Sequence, residues 1–316
     1  MRWIKWPLAL LLLGIAIVAL GFRLAAHLRE HDDHIPATTR LVSTPLGRVA
    51  ISESGPMTGE PVLIVHGTAA WSGFWRDISA HLAARGRHVI AVDLPPFGYS
   101  DRDSEARYDR RAQALRLAKV IEEVAGRPTI VLAHSFGAGA ATELALRAPQ
   151  DVKHLILVDA ALGELDGPAK QAPLGLRWGW SSRIVTSATL TNPLLTGRLL
   201  RSFLSRKQAA DAWVATVQAP MRRPGTTAAY AAWLPNLFAA DPRDRSRSSA
   251  ALAAIRSPVS IIWGETDTVT PIGQGRRIAH LTRARMFLRL PGVGHIPHIE
   301  DPPGFERALD RVMAGG

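Results

Sequence analysis

Polar and apolar positions along the chain follow three rhythms. From Trp6 to Phe22 no residue is charged, so a helix there is apolar all round. Residues 38–55 (TTRLVSTPLGRVAISESG) alternate around a Pro- and Gly-containing middle and predict an antiparallel hairpin. Beyond it, short continuous apolar runs alternate with stretches of helical period. The runs Pro61–Gly67 (PVLIVHG), 87–93 (RHVIAVD), 128–135 (PTIVLAHS) and 152–161 (VKHLILVDAA) predict buried strands. Residues 75–86, 108–126 and 136–149 between them predict helices. Such alternation predicts a mostly parallel sheet with helices on both faces, an α/β fold.

The alternation stops between Leu162 and Ser249, where the chain is rich in Pro, Trp and Arg and has helical but no strand patterning. It resumes with strands over 257–267 and 284–295 and helices over 272–283 and 302–315. An all-helical insert inside an α/β sheet predicts a cap over the site. The expected plan is an N-terminal transmembrane anchor over 1–24 and a polar linker over 25–38. The core follows over 39–161, then a helical cap over 162–249, then the rest of the core over 250–316.

The leading run, with Trp3 and Ile4 added and Lys5 snorkelling, is long enough for about 30 Å of hydrocarbon, and Trp3 and Trp6 suit an interface belt. Residues 3–22 are therefore expected to engage a lipid membrane, with the folded domain outside the cytoplasm. Cleavage after a small-x-small site at Ala19-Leu20-Gly21, giving a secreted protein, is the alternative. His31–His34 (HDDH) lies in the linker and reads as solvated polar sequence.

Composition narrows the chemistry. There are no cysteines, which excludes disulfides, thiolate catalysis and cysteine metal sites. The net charge is +11, mostly arginine, but the cations are interspersed with acids and no nucleic-acid motif is present. No nucleic-acid partner, metal or cofactor is expected, and the oligomeric state is left open.

Sites in open parallel sheets lie at the carboxyl ends of strands. Those ends carry His66-Gly67-Thr68, then Asp93, Ser135, Asp159, Asp267 and His295. A nucleophilic serine needs a base in reach, and the base needs a carboxylate to fix its tautomer. The bland alternative is that Ser135 only caps a helix. Glu265 and Asp159 rival Asp267 as the acid. His298, three residues after His295, forms an H-x-x-H pair without a supporting third ligand.

Here the sequence resembles the α/β-hydrolase family with a helical cap. AHSFGAG (133–139) resembles its G-x-S-x-G nucleophile elbow, and the order Ser135, Asp267, His295 matches its serine–acid–histidine order. HGTAAWSGFWRDI, DLPPFGYSD, WGETDTVTP and PGVGHIPHIEDP resemble its oxyanion, loop, acid and histidine segments. Two positions depart: Ala133 replaces the first elbow glycine, and Pro96 stands where glycine is common.

The resemblance implies Ser135 as nucleophile, His295 as general base and Asp267 as the orienting acid. It implies an oxyanion hole from the backbone N–H groups of Thr68 and Phe136. His66 and His134 read as structural. Trp71, Phe74, Trp75, Trp178, Trp180, Trp213 and Trp233 read as core or pocket wall, suited to an apolar acyl or aryl group. The expected enzyme cleaves an ester or related acyl bond of an apolar small molecule. An acyltransferase, C–C bond hydrolase or cofactor-free perhydrolase on the same fold is the enzyme alternative. A non-catalytic binding protein is the alternative of another class.

Overall fold

A computed structural model describes residues 5–239, 241 and 243–315, with the backbone alone described for residues 5–9 and 12. Eight strands form one sheet: β1 (Thr39–Thr44), β2 (Gly47–Ser54), β3 (Pro61–Val65), β4 (His88–Val92), β5 (Thr129–His134), β6 (Val152–Val158), β7 (Val259–Gly264) and β8 (Met286–Leu290). Their spatial order is β1-β2-β4-β3-β5-β6-β7-β8. β1 and β2 pair antiparallel, as the alternation of 38–55 predicts, and β2 joins β4 antiparallel. All later pairings are parallel.

Each parallel strand splits its side chains between two cores because successive residues face opposite sides. Ile64, Ala91, Leu132, Ile156 and Ile262 join one cluster, while Val65, Val92, Val131, Leu157 and Ile261 join the other. Helices α1 (Lys5–Arg29), α2 (Arg76–Ala84), α3 (Arg110–Val120) and α4 (Phe136–Arg147) precede the insert. The pattern over 108–126 ends in a widened turn, where the Gly126 N–H donates to the Ile121 carbonyl at 2.8 Å.

Short helices fill the stretch between β6 and β7: α5 (Leu174–Arg177), α6 (Gly179–Ala188), α7 (Pro193–Ser202), α8 (Val214–Gln218), α9 (Thr226–Trp233), α10 (Pro235–Phe238) and α11 (Ser249–Ala253). Leu200, Trp213, Val217, Met221 and Trp233 from this insert close the first core cluster. After β7 come α12 (Ile272–Thr282), α13 (Pro297–Glu300) and α14 (Pro302–Ala314).

The transmembrane helix expected over 1–24 is corrected here. Residues 1–4, and the side chains of 5–9 and 12, lie outside the described residues; among those described, no helix is long and apolar enough to cross a membrane. The uncharged run ends at Phe22, and from Arg23 onward α1 is a docked, partly charged segment with Ala26 buried. Arg29 donates to the Thr191 carbonyl (2.9 Å), Glu30 accepts the Thr227 N–H (2.7 Å), and the Asp32 N–H donates to the Arg222 carbonyl (3.1 Å). The polar stretch after the apolar run is thus fastened to the insert.

Candidate active site

Ser135 sits between β5 and α4 at φ 50° and ψ −120°. A positive φ is unfavourable for a residue with a side chain, so the surroundings must impose it. They do so by hydrogen bonds: the Ser135 N–H donates to Val158 O (3.0 Å), and its carbonyl accepts from Ala138 (3.1 Å) and Ala161 (3.0 Å). Small neighbours are needed as well. A Cβ on Gly137 would lie 2.3 Å from the His66 carbonyl oxygen, and one on Gly67 would lie 2.8 Å from His134 Nδ1. Ala133, in contrast, buries its methyl in the second core cluster, so the sheet accommodates the departure from glycine.

The structure brings Ser135, His295 and Asp267 together. Ser135 Oγ lies 2.8 Å from His295 Nε2, and His295 Nδ1 lies 2.7 Å from Asp267 Oδ2. Asp267 Oδ1 accepts the N–H groups of Val269 (2.7 Å) and Thr270 (3.0 Å), and the Thr270 hydroxyl donates to Oδ2 at 2.6 Å. Burial pushes the Asp267 carboxyl up, but the bond and charge of His295 and the Thr270 donors outweigh it and hold it below its ordinary value. Asp267 is therefore a carboxylate at neutral pH, able to stabilise a charged imidazole.

Asp159 directly follows β6 at φ 42° and is fully buried, its Oδ1 accepting the Gly264 N–H at 2.8 Å. Burial and the neighbouring Asp267 charge drive its carboxyl well above the ordinary range. Two adjacent buried carboxyls cannot both ionise cheaply, and the negative charge rests on the one that touches His295. Glu265 points elsewhere, paired with Arg289 at 3.2 Å on the surface. Asp159, Asp267 and His295 are also the one group among the described residues whose ligand atoms lie close enough together that they could hold a metal ion. The hydrogen bonds of Asp267 account for both of its oxygens without an ion.

Phe136 directly follows the nucleophile, and a Cβ on Gly67, the neighbour of Thr68, would lie 3.0 Å from Ser135 Cβ. Phe136 is the first residue of α4, so its N–H has no acceptor within that helix. Thr68 follows β3 and lines an apolar cavity of about 100 Å³. Phe74, Trp75, Leu200, Phe203 and Met221 form much of its wall. Trp213 and Trp233 are buried core, whereas Trp178 and Trp180 are exposed by 52% and 66% and so are neither core nor pocket wall. Trp71 ties the oxyanion segment to the insert by donating to Thr216 O at 2.6 Å.

His66 and His134, read as structural in sequence, each engage neighbouring backbone, and the Phe203 carbonyl and Glu300 add supports that have no signal of their own in the sequence. His66 accepts the Leu94 N–H on Nε2 (2.8 Å), which leaves Nδ1–H to donate to the Gly67 carbonyl (2.7 Å); burial lowers it to about 4, so it stays neutral. His134 Nε2–H donates to the His295 carbonyl at 2.7 Å, and burial together with the His295 charge lowers it to about 3. The His295 N–H donates to Phe203 O in the insert at 2.9 Å. Glu300, buried behind the histidine loop, accepts the N–H groups of Gly294 (3.0 Å), Ser205 (3.1 Å) and Arg206 (2.9 Å).

The family model for the alpha/beta hydrolase fold matches residues 60–302. The chain belongs to that family. This α/β-hydrolase is 27% identical over 277 residues to the 2-hydroxymuconate semialdehyde hydrolase of Pseudomonas sp. (strain CF600), covering 84% of this chain and 90% of the relative. Among solved structures it resembles one described as a bacterial membrane phospholipase A (TM-score 0.67, 21% identity, 100% of this chain and 99% of that one). It also resembles a thermophilic esterase from Thermogutta terrifontis (TM-score 0.69, 21% identity, 88% and 98%). The enzyme is placed among hydrolases by its sequence relatives; the two solved structures speak to the fold.

Proposed function

We propose that the enzyme is a serine hydrolase that cleaves an ester or related acyl bond of an apolar substrate. The observation that carries this reading is the continuous chain of hydrogen bonds from Ser135 Oγ through His295 to Asp267, 2.8 and 2.7 Å long. Ser135 Oγ attacks the carbonyl carbon while His295 Nε2 takes its proton. Asp267 stabilises the imidazolium, and the Thr68 and Phe136 N–H groups hold the oxyanion. His295 then returns the proton to the leaving alcohol, and water cleaves the acyl-enzyme by the same relay. The chain's own residues supply every group in this scheme.

The test is labelling with a fluorophosphonate and turnover of p-nitrophenyl esters graded by chain length. Labelling of the wild type and its loss in S135A is the expected result; a folded protein that does not label, or labels equally in S135A, overturns the reading. A second reading, hydrolysis of a carbon–carbon bond beside a ketone, is favoured by the semialdehyde hydrolase relative. It predicts turnover of vinylogous diketones faster than of any ester in the panel.

We also propose that the substrate is met at a lipid surface rather than in bulk water. The side chains of Leu10, Leu13 and Ile17 on α1 are exposed, as are Trp178 and Trp180 on the insert that α1 packs against. Apolar residues with tryptophan suit the headgroup boundary. Secretion after cleavage near Gly21 is the competing outcome, read by intact mass.

A further inference from the structure

Helix α1 packs against helix α6 of the insert, and two cavities follow the seam between them. The first is a groove of about 550 Å³. Among the described residues its wall is apolar and includes Ile15, Val18 and Phe22 of α1 and Ile184 and Ala188 of α6. The second, of about 200 Å³, begins at the next residue on each helix, Arg23 beside Phe22 and Arg183 beside Ile184. His27, Glu30 and Thr227 also line it.

The two cavities differ in charge. Among the described residues the side chains of Arg23, Arg183 and His27 have no hydrogen-bond or ion-pair partner. The one acid of that wall, Glu30, is engaged, its Oε1 accepting the Thr227 N–H at 2.7 Å. Two guanidinium groups against one carboxylate leave the polar end of the seam positive. Guanidinium N–H groups bind phosphate oxygens well, and the groove gains by covering hydrocarbon. From Leu10 to Phe22 the groove follows α1 for about 18 Å, the scale of an extended acyl chain. A free phosphate would leave the groove open to water. An uncharged hydrocarbon would leave the arginines unmatched, and a zwitterionic headgroup would bring a cation of its own to them.

We propose that the seam between α1 and α6 binds one anionic phospholipid, with its phosphate between Arg23 and Arg183 and an acyl chain along Phe22, Val18 and Ile15. The assignment rests on the reading of a lipid surface given above, and adds which lipid is held and where.

The experiment gives full-length protein in neutral detergent either phosphatidylglycerol or phosphatidylcholine, both as diether lipids that an esterase cannot cleave. Native mass spectrometry counts the lipid retained. The wild type should hold one phosphatidylglycerol per chain and prefer it over phosphatidylcholine by at least about fivefold. Arg23→Gln/Arg183→Gln should bring that ratio to near one. Arg307→Gln/Arg311→Gln removes the same charge from α14, which packs on the sheet and α2, and should leave the ratio unchanged. If the first double variant does not fold, Arg183→Gln alone, at an exposed position, should at least halve the ratio. Equal retention of the two lipids by the wild type, an undiminished ratio in the folded Arg23 and Arg183 variants, or an equal loss in the α14 variant overturns the site.

Flotation with phosphatidylcholine vesicles separates the two readings. Protein that floats but shows no preference in the mass spectra keeps the lipid surface and loses the site. Protein that neither floats nor retains either lipid fails at the lipid surface, and the site falls with it.

Discussion

At the scale of single residues, the elbow depends on sterics more than on the glycine rule. Gly137→Ala should lose both Tm and activity, because its Cβ would meet the His66 carbonyl oxygen at 2.3 Å and backbone cannot give way cheaply. Ala133→Gly should cost about 1 kcal/mol, from a lost buried methyl and added chain entropy, with kcat little changed. Urea melts and ester kinetics on both variants check the contrast. His66 carries a pH signature. Its folded value of about 4 lies below that of an unfolded histidine, so the unfolded chain binds the proton first. The stability it provides is complete above pH 6.5 and is lost as pH falls towards 4. His66→Gln should therefore be less stable than wild type at pH 7.5, and the gap should narrow by about 1–2 kcal/mol at pH 5. A constant gap in paired denaturation curves would count against a neutral His66.

At the scale of elements, the sheet was readable because buried parallel strands are written as continuous apolar runs, and the ends of those runs located Ser135, Asp267 and His295. The contacts that fix these residues were not. Phe203 meets His295 through a backbone carbonyl, which any side chain could supply, and Glu300 looks like a surface acid in sequence although it is 5% exposed. The motif order already favoured Asp267 over Asp159; what the structure adds is its 2.7 Å contact with His295 Nδ1. Glu300 joins the histidine loop to the start of the segment after α7 by accepting N–H groups from both. Glu300→Ala would orphan these donors and should cost about 2–4 kcal/mol. Because it also frees the loop carrying His295, kcat should fall by roughly tenfold or more with KM less affected. Steady-state kinetics beside thermal melts would separate the two effects.

At the scale of the whole molecule, the described part of α1 and the insert pack together. The apolar run reads as a membrane span in sequence, which the described residues do not support, and its fastening through Arg29, Glu30 and Asp32 was not legible, because those bonds use residues that read as a linker. If this surface meets lipid, full-length protein should float with phosphatidylcholine vesicles in a density gradient, and Trp178→Ser/Trp180→Ser should float less without loss of Tm. Protein that stays in the dense fraction beside intact vesicles would argue against a lipid partner. The hydrogen bond from the His295 N–H to Phe203 has a consequence for traffic through the enzyme. Phe203 is also part of the cavity wall, so the residue that shapes the cavity there is the one whose backbone steadies the base. A substitution that displaces the wall at Phe203 would therefore be felt at the proton relay as well as in the fit of a guest.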